Sequence, residues 1–162
     1  MVGFDEDLLG TAEFGKNYKE NAGRFGGAGH SYLGSFQMGR AAWVDAGGDG
    51  AKWDQARKDY QTSGEQFIIP YDEQVMRARI YWGIAGSTYL GWNLGPGNAA
   101  KLYAAASIVP PPTVEMLGLC VQCRGQAYAR GIDCNAVTCV ELIARAEAYY
   151  REGKPVIGQA RA

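Results

Sequence analysis

Along this chain, apolar and polar positions recur with helical spacing far more often than with the two-residue period of a strand. Residues 5–13, DEDLLGTAE, lead with acids and then place Leu8, Leu9 and Ala12 at helical spacing, which predicts a short helix. Residues 20–35 hold five glycines, His30 and two serines, the composition of a loop or short hairpin. Residues 36–46 predict a helix, with Ala41, Ala42 and Val44 near Met38, stopped by Gly47-Gly48. A polar surface helix is expected over 51–61, ending near Gly64. The longest helical pattern spans 71–90. Asp72 and Glu73 sit in its first turn, where the helix dipole favours them, and Val75, Met76, Ile80, Ile84 and Leu90 form an apolar stripe that predicts a buried central helix.

Beyond the Gly95-Pro96-Gly97 turn, residues 98–107 are alanine-rich and helical in pattern, and Pro110-Pro111-Pro112 breaks the chain. Helices are expected over 113–121 and 136–152, the latter with Val137, Val140, Leu142, Ile143 and Ala146 facing inward. The last ten residues read as a tail. Only residues 67–69, FII, have strand composition, and Pro70 ends them. The expected class is mostly α, with several helices around a central buried one and at most a small hairpin.

Composition narrows the function classes. With 16 Lys and Arg against 17 Asp and Glu, the net charge of −1 offers no basic excess for a phosphate backbone, so no nucleic-acid partner is expected. No apolar run reaches the length of a membrane span. Met1–Asp7 carries three acids and no Lys or Arg, so no secretory signal is read there and synthesis in a cytosol is expected. Glycine is the anomaly. Of 23 glycines, 12 lie within residues 1–50 and five within 83–97, a clustering that suits turns and close backbone approach around a cleft.

The four cysteines, Cys120, Cys123, Cys134 and Cys139, form a C-x2-C-x10-C-x4-C pattern. Three readings stay open: a structural four-thiolate zinc site, two local disulfides, or free buried thiols. No histidine lies nearby to activate a thiolate, so the cluster reads as structural.

One carboxyl stands out. Glu13 ends an apolar helix between Leu9 and Phe14, and a carboxyl held against apolar groups can serve as a general acid near neutral pH. Its surroundings carry a resemblance. Residues 13–18, EFGKNY, then 34–37, GSFQ, then 91–97, GWNLGPG, together resemble the lysozyme-like lytic transglycosylase superfamily. That family shows a helix-terminal Glu followed by a small residue and an Asn/Tyr stretch, then a G-x-x-Q turn, then a Y-N-A-G-P-G turn. Here Glu13 lies 21 residues before Gly34, Gln37 closes the second motif, and Asn93 and Gly95-Pro96-Gly97 match the third, with Trp92 in place of tyrosine. The stretch SYLGSFQMGRAAWVDAG is also similar to phage cell-wall-degrading enzymes. The resemblance covers residues 5–107. Phe14 departs from it, standing where the family has a serine, and so does the glycine-rich loop 19–33.

The resemblance implies a lysozyme-like catalytic domain over 1–110; residues 111–162, which carry the cysteines and lie beyond the resemblance, are expected to form a helical extension packed on the same domain. It implies cleavage of the β-1,4 bond between N-acetylmuramic acid and N-acetylglucosamine in peptidoglycan glycan strands. Glu13 would act as general acid and then base, without a cofactor. Gln37, Ser35 and Asn93 would meet the sugars, and Tyr32, Trp92 and Tyr89 would wall the cleft. Glu20 and Asp45 are the acids weighed as a second carboxylate, and His30 is read as surface chemistry. Delivery by a phage, as a virion-borne enzyme or endolysin acting on the host cell wall, fits the missing signal. A hydrolytic muramidase of the same fold, or a structural virion protein contacting other virion proteins, are the alternatives.

Overall fold

A computed structural model describes residues 3–152. They fall into two compact units, divided between Ile84 and Ala85. Residues 85–110 cluster with the cysteine-bearing segment. The tail expected over the last ten residues lies outside the described part. Among the described residues, eight α-helices and one two-stranded antiparallel hairpin make the mostly helical class plain. None of those helices is long and apolar enough to cross a membrane.

In the unit Gly3–Ile84, α1 (Glu6–Glu13) begins at Asp5, whose carboxylate accepts from Leu8 N at 3.0 Å. It ends where Phe14 N and Gly15 N both donate to Gly10 O. Leu9 and Ala12 face inward. Strands β1 (Phe25–Gly26) and β2 (Tyr32–Leu33) pair Phe25 with Leu33 and Gly26 with Tyr32. A 3₁₀ turn, Gly34–Phe36, follows. Helix α2 (Arg40–Asp45) starts later than its pattern predicts, because Gln37 is left-handed and Met38 bonds back to Leu33 through both backbone groups. Helix α3 (Gly50–Ser63) is capped by Asp49 and buries Trp53 and Ala56 on an otherwise polar surface. Residues 67–69 form no strand; Phe67 is exposed while Ile69 is buried.

Helix α4 (Tyr71–Ile84) reverses the expected face. Gln74, Ala78 and Trp82 point into the core, whereas Met76, Ile80 and Ile84 are 46%, 42% and 44% exposed. The reason is local: the core beside α4 contains backbone groups that require an amide, and Gln74 supplies it.

The expected helix over 71–90 also breaks. Gly86 and Ser87 take positive φ, and Thr88 caps a new helix, α5 (Tyr89–Leu94), by accepting from Gly91 N at 3.0 Å. In this second unit α6 (Pro96–Ala105) opens with proline at its first position, where no N–H is needed. The helix expected over 113–121 is replaced by a backbone bridge, Thr113 with Thr138, and a turn closed by Gly118 at φ 70°. Helix α7 is only Cys120–Arg124. Helix α8 (Cys139–Glu152) buries Cys139, Leu142, Ala146, Tyr149 and Tyr150; Val140, expected inside, is largely exposed. The core here is tyrosine-rich. The Tyr89 ring lies 5.1 Å from Tyr150, 6.2 Å from Tyr149 and 5.9 Å from Tyr128.

The cysteines follow none of the three readings alone. Cys120 and Cys134 are joined by a disulfide, while Cys123 and Cys139 are free and buried. Burial pushes the Cys123 thiol up to about 11.

Candidate functional site

Glu13 is the last residue of α1, partly buried, at the end of the helix where the partial charge is negative. Helix α1 packs on the Gly34–Phe36 turn, so the first and second motifs meet within one unit. Leu9 and Phe36, both fully buried, lie on the elements that make this contact.

The turn is held by side chains rather than by secondary structure. Gly34 sits at φ 63°, and a Cβ there would collide with Gln74 Oε1 and lie 2.7 Å from Ala22 O. Only glycine fits both the backbone and the space. Gln74 accepts from Ser35 N at 3.0 Å and donates to Ala22 O at 2.6 Å and Ile69 O at 3.0 Å. One amide therefore satisfies backbone groups from three segments that no ladder reaches. Ser35 Oγ donates to Tyr18 O, which ties the turn to the end of the EFGKNY motif. Ser35 is completely buried.

Gln37 ends the turn at φ 51°. Its Nε2 donates to Gly34 O at 2.7 Å, and its Oε1 lies against Gly26 of β1. The side chain is partly buried and shaped by its own turn. Beside it, Tyr32 is 47% exposed. Its ring lies over Gly27, where a Cβ would stand 2.7 Å from Tyr32 Cε2, and over Gly39 on its other edge. Bare backbone at Gly27 thus makes room for the ring while much of the residue stays open to solvent, as an aromatic platform requires.

Beneath the turn is a cluster that the sequence pattern does not reveal. Tyr18 donates to Asp7 and Tyr71 donates to Glu6, both acids of the first turn of α1. The rings of Tyr18, Phe36 and Tyr71 lie 6.0–6.3 Å apart. Burial, then the bond to Asp7, pushes the Tyr18 phenol up to about 12; burial and Glu6 push Tyr71 higher still. Tyr18 lies in the EFGKNY stretch, so the sequence carries a signal for it. Gln74 had none, because a polar residue that follows Asp72 and Glu73 in the first turn reads as outward-facing.

Neither acid weighed as a second carboxylate is enclosed. Glu20 is exposed in a 3₁₀ turn, Lys19–Asn21, and Asp45 is exposed at the end of α2. His30 packs its ring edge-on to Tyr60 at 5.2 Å, and its carbonyl accepts from Arg57.

The third motif belongs to the second unit. Trp92, in α5, is 8% exposed, and Asn93 beside it is partly buried. Asn98 Nδ2 donates to Leu94 O at 3.0 Å, which steadies the Gly95-Pro96-Gly97 turn. Tyr89, expected as a cleft wall, is instead a core ring. No family model, curated protein sequence or solved structure matches this chain.

Proposed function

We propose that this chain is a lysozyme-like enzyme that cleaves the glycan strands of peptidoglycan as a lytic transglycosylase, with Glu13 as its acid and base. The observation that carries the reading is the arrangement around Gly34–Gln37. A helix ending in glutamate packs on a turn that a buried amide locks, and an open tyrosine platform flanks that turn. An enzyme of extended sugar chains requires a proton donor and a surface on which rings can lie, and this unit carries a candidate for each.

In the proposed reaction Glu13 protonates the glycosidic oxygen as the bond from the N-acetylmuramic acid anomeric carbon breaks. The C6 hydroxyl of the same sugar attacks that carbon, and Glu13 takes up the hydroxyl proton. The product is a 1,6-anhydro sugar, and Glu13 ends protonated as it began. Net consumption of water is nil, so a single carboxyl is sufficient. The exposed settings of Glu20 and Asp45 favour this over hydrolysis, which needs a second carboxylate to handle water. Delivery by a phage, in the virion or as an endolysin, is part of the same reading.

Purified cell walls test it. Wild type should clear them, and Glu13→Gln should lower the rate roughly 10²–10⁴-fold, the usual worth of a general acid. Reducing ends among the products would indicate a muramidase. Absence of clearing at any pH would indicate a structural virion protein, for which Phe14 is the feature in favour.

A further inference from the structure

The cysteine motif is regrouped by the fold, and the regrouping brings in a residue that spacing does not reveal. Glu115 N donates to Cys134 O at 3.0 Å, which places Glu115 beside the bridge. A carboxylate oxygen of Glu115 and the sulfurs of Cys120 and Cys134 all lie within 4.8 Å of one another. Cys134 is buried and Cys120 partly so, while Glu115 is exposed. No side-chain hydrogen bond or ion pair among the described residues engages the Glu115 carboxylate.

We infer that Cys120, Cys134 and Glu115 form a redox-gated binding site for a thiophilic divalent cation such as zinc. In the oxidised chain the two sulfurs share their bond and offer no thiolate. A dithiol reductant gives the disulfide two electrons and two protons, becoming a disulfide itself and leaving two Cys thiols. Zinc then binds both sulfurs as thiolates, releasing the two protons to solvent. Two Zn–S bonds of about 2.3 Å at a tetrahedral centre hold the sulfurs about 3.8 Å apart. The Cα atoms, 5.8 Å apart, allow that separation by side-chain rotation. The Glu115 carboxylate supplies the third ligand from the solvent side, and water completes the set. Cys123 and Cys139, free and buried, are not in the group of ligand atoms within 4.8 Å of one another and take no part.

The test is zinc titration of the full chain, reduced and then desalted without oxygen, beside the oxidised chain. Reduced wild type should bind one Zn²⁺ and oxidised protein none. Cobalt substitution should show thiolate charge-transfer absorption only in the reduced form. The double variant Cys123→Ser/Cys139→Ser should still bind one Zn²⁺, and Glu115→Gln should weaken binding at least about tenfold. Absence of binding by reduced wild type, equal binding by the oxidised chain, or unchanged affinity in Glu115→Gln would overturn the assignment. Loss of binding in a folded Cys123→Ser/Cys139→Ser chain would overturn it in favour of four thiolates. Because Glu115 is exposed, its variant keeps the fold and decides the matter if the buried-thiol variant does not fold.

Discussion

The two units solve the same problem, holding irregular backbone in place, by different chemistry. In Gly3–Ile84 the irregular segments are the glycine-rich loop and the Gly34–Gln37 turn. They are fixed by amides and hydroxyls, with Gln74 bonding three segments and Ser35 a fourth. In the second unit the irregular segment is 106–138. It is fixed by a covalent bridge, by a few backbone bonds such as Glu115 N to Cys134 O, and by Tyr128, whose ring packs edge-on to Tyr89. Hydrogen bonds are directional, so they set a turn's geometry as well as its stability. A disulfide and ring packing restrict the chain without specifying each backbone group. The contrast places geometric exactness where the proposed proton donor and platform are, and covalent restraint where the proposed metal site is.

The contrast can be broken most severely at Gln74. Gln74→Ala strands Ser35 N–H and the carbonyls of Ala22 and Ile69, which should cost about 3 kcal/mol. Hydrogen exchange should show the loss at residues 22–37 well beyond any change in α8. Equal loss across both units would mean that the amide is not a local lock. Reducing the disulfide makes the converse test. It opens a loop of sequence separation 14, which a chain-entropy treatment puts at about 3 kcal/mol. Residues 113–139 should lose protection, while the Ser35 amide should keep it.

Smaller effects sharpen the picture. Tyr32→Ala should raise KM for cell-wall glycan roughly three- to tenfold with little change in melting temperature, because the ring is largely outside the core. A large drop in stability instead would make Tyr32 a packing residue. The smallest is a pH effect. Tyr18 holds its proton up to about 12 in the folded chain, against about 10 when unfolded. Its contribution is therefore full below pH 10 and declines as the pH rises toward 12, where only the unfolded phenol gives up its proton. Urea unfolding across that range should be less steeply pH-dependent in Tyr18→Phe.

Much of this was legible in the residues. Acids before Leu8 and Leu9 marked α1, five glycines marked the hairpin, and the G-x-x-Q spacing marked a turn that does pack on the Glu13 helix. What stayed hidden depended on partners distant in sequence. Met76, Ile80 and Ile84 share a stripe with helical period, yet the opposite face is buried, since Gln74 is needed by backbone groups of residues 22, 35 and 69. Residues 113–121 read as a helix, but Thr113 pairs with Thr138 and the left-handed Gly118 closes the turn. Cysteine spacing said nothing of pairing: Cys120 joins Cys134 and not its neighbour Cys123. Nor did the sequence show that Ser35 would be buried with its hydroxyl donating to Tyr18 O.

The decisive measurement is mass spectrometry of the muropeptides released from purified peptidoglycan by wild type and by Glu13→Gln. Fragments ending in 1,6-anhydro-N-acetylmuramic acid from wild type, and only a trace from the variant, are the predicted result. Equal release by the variant, or no release by a folded wild type, would contradict the role assigned to Glu13.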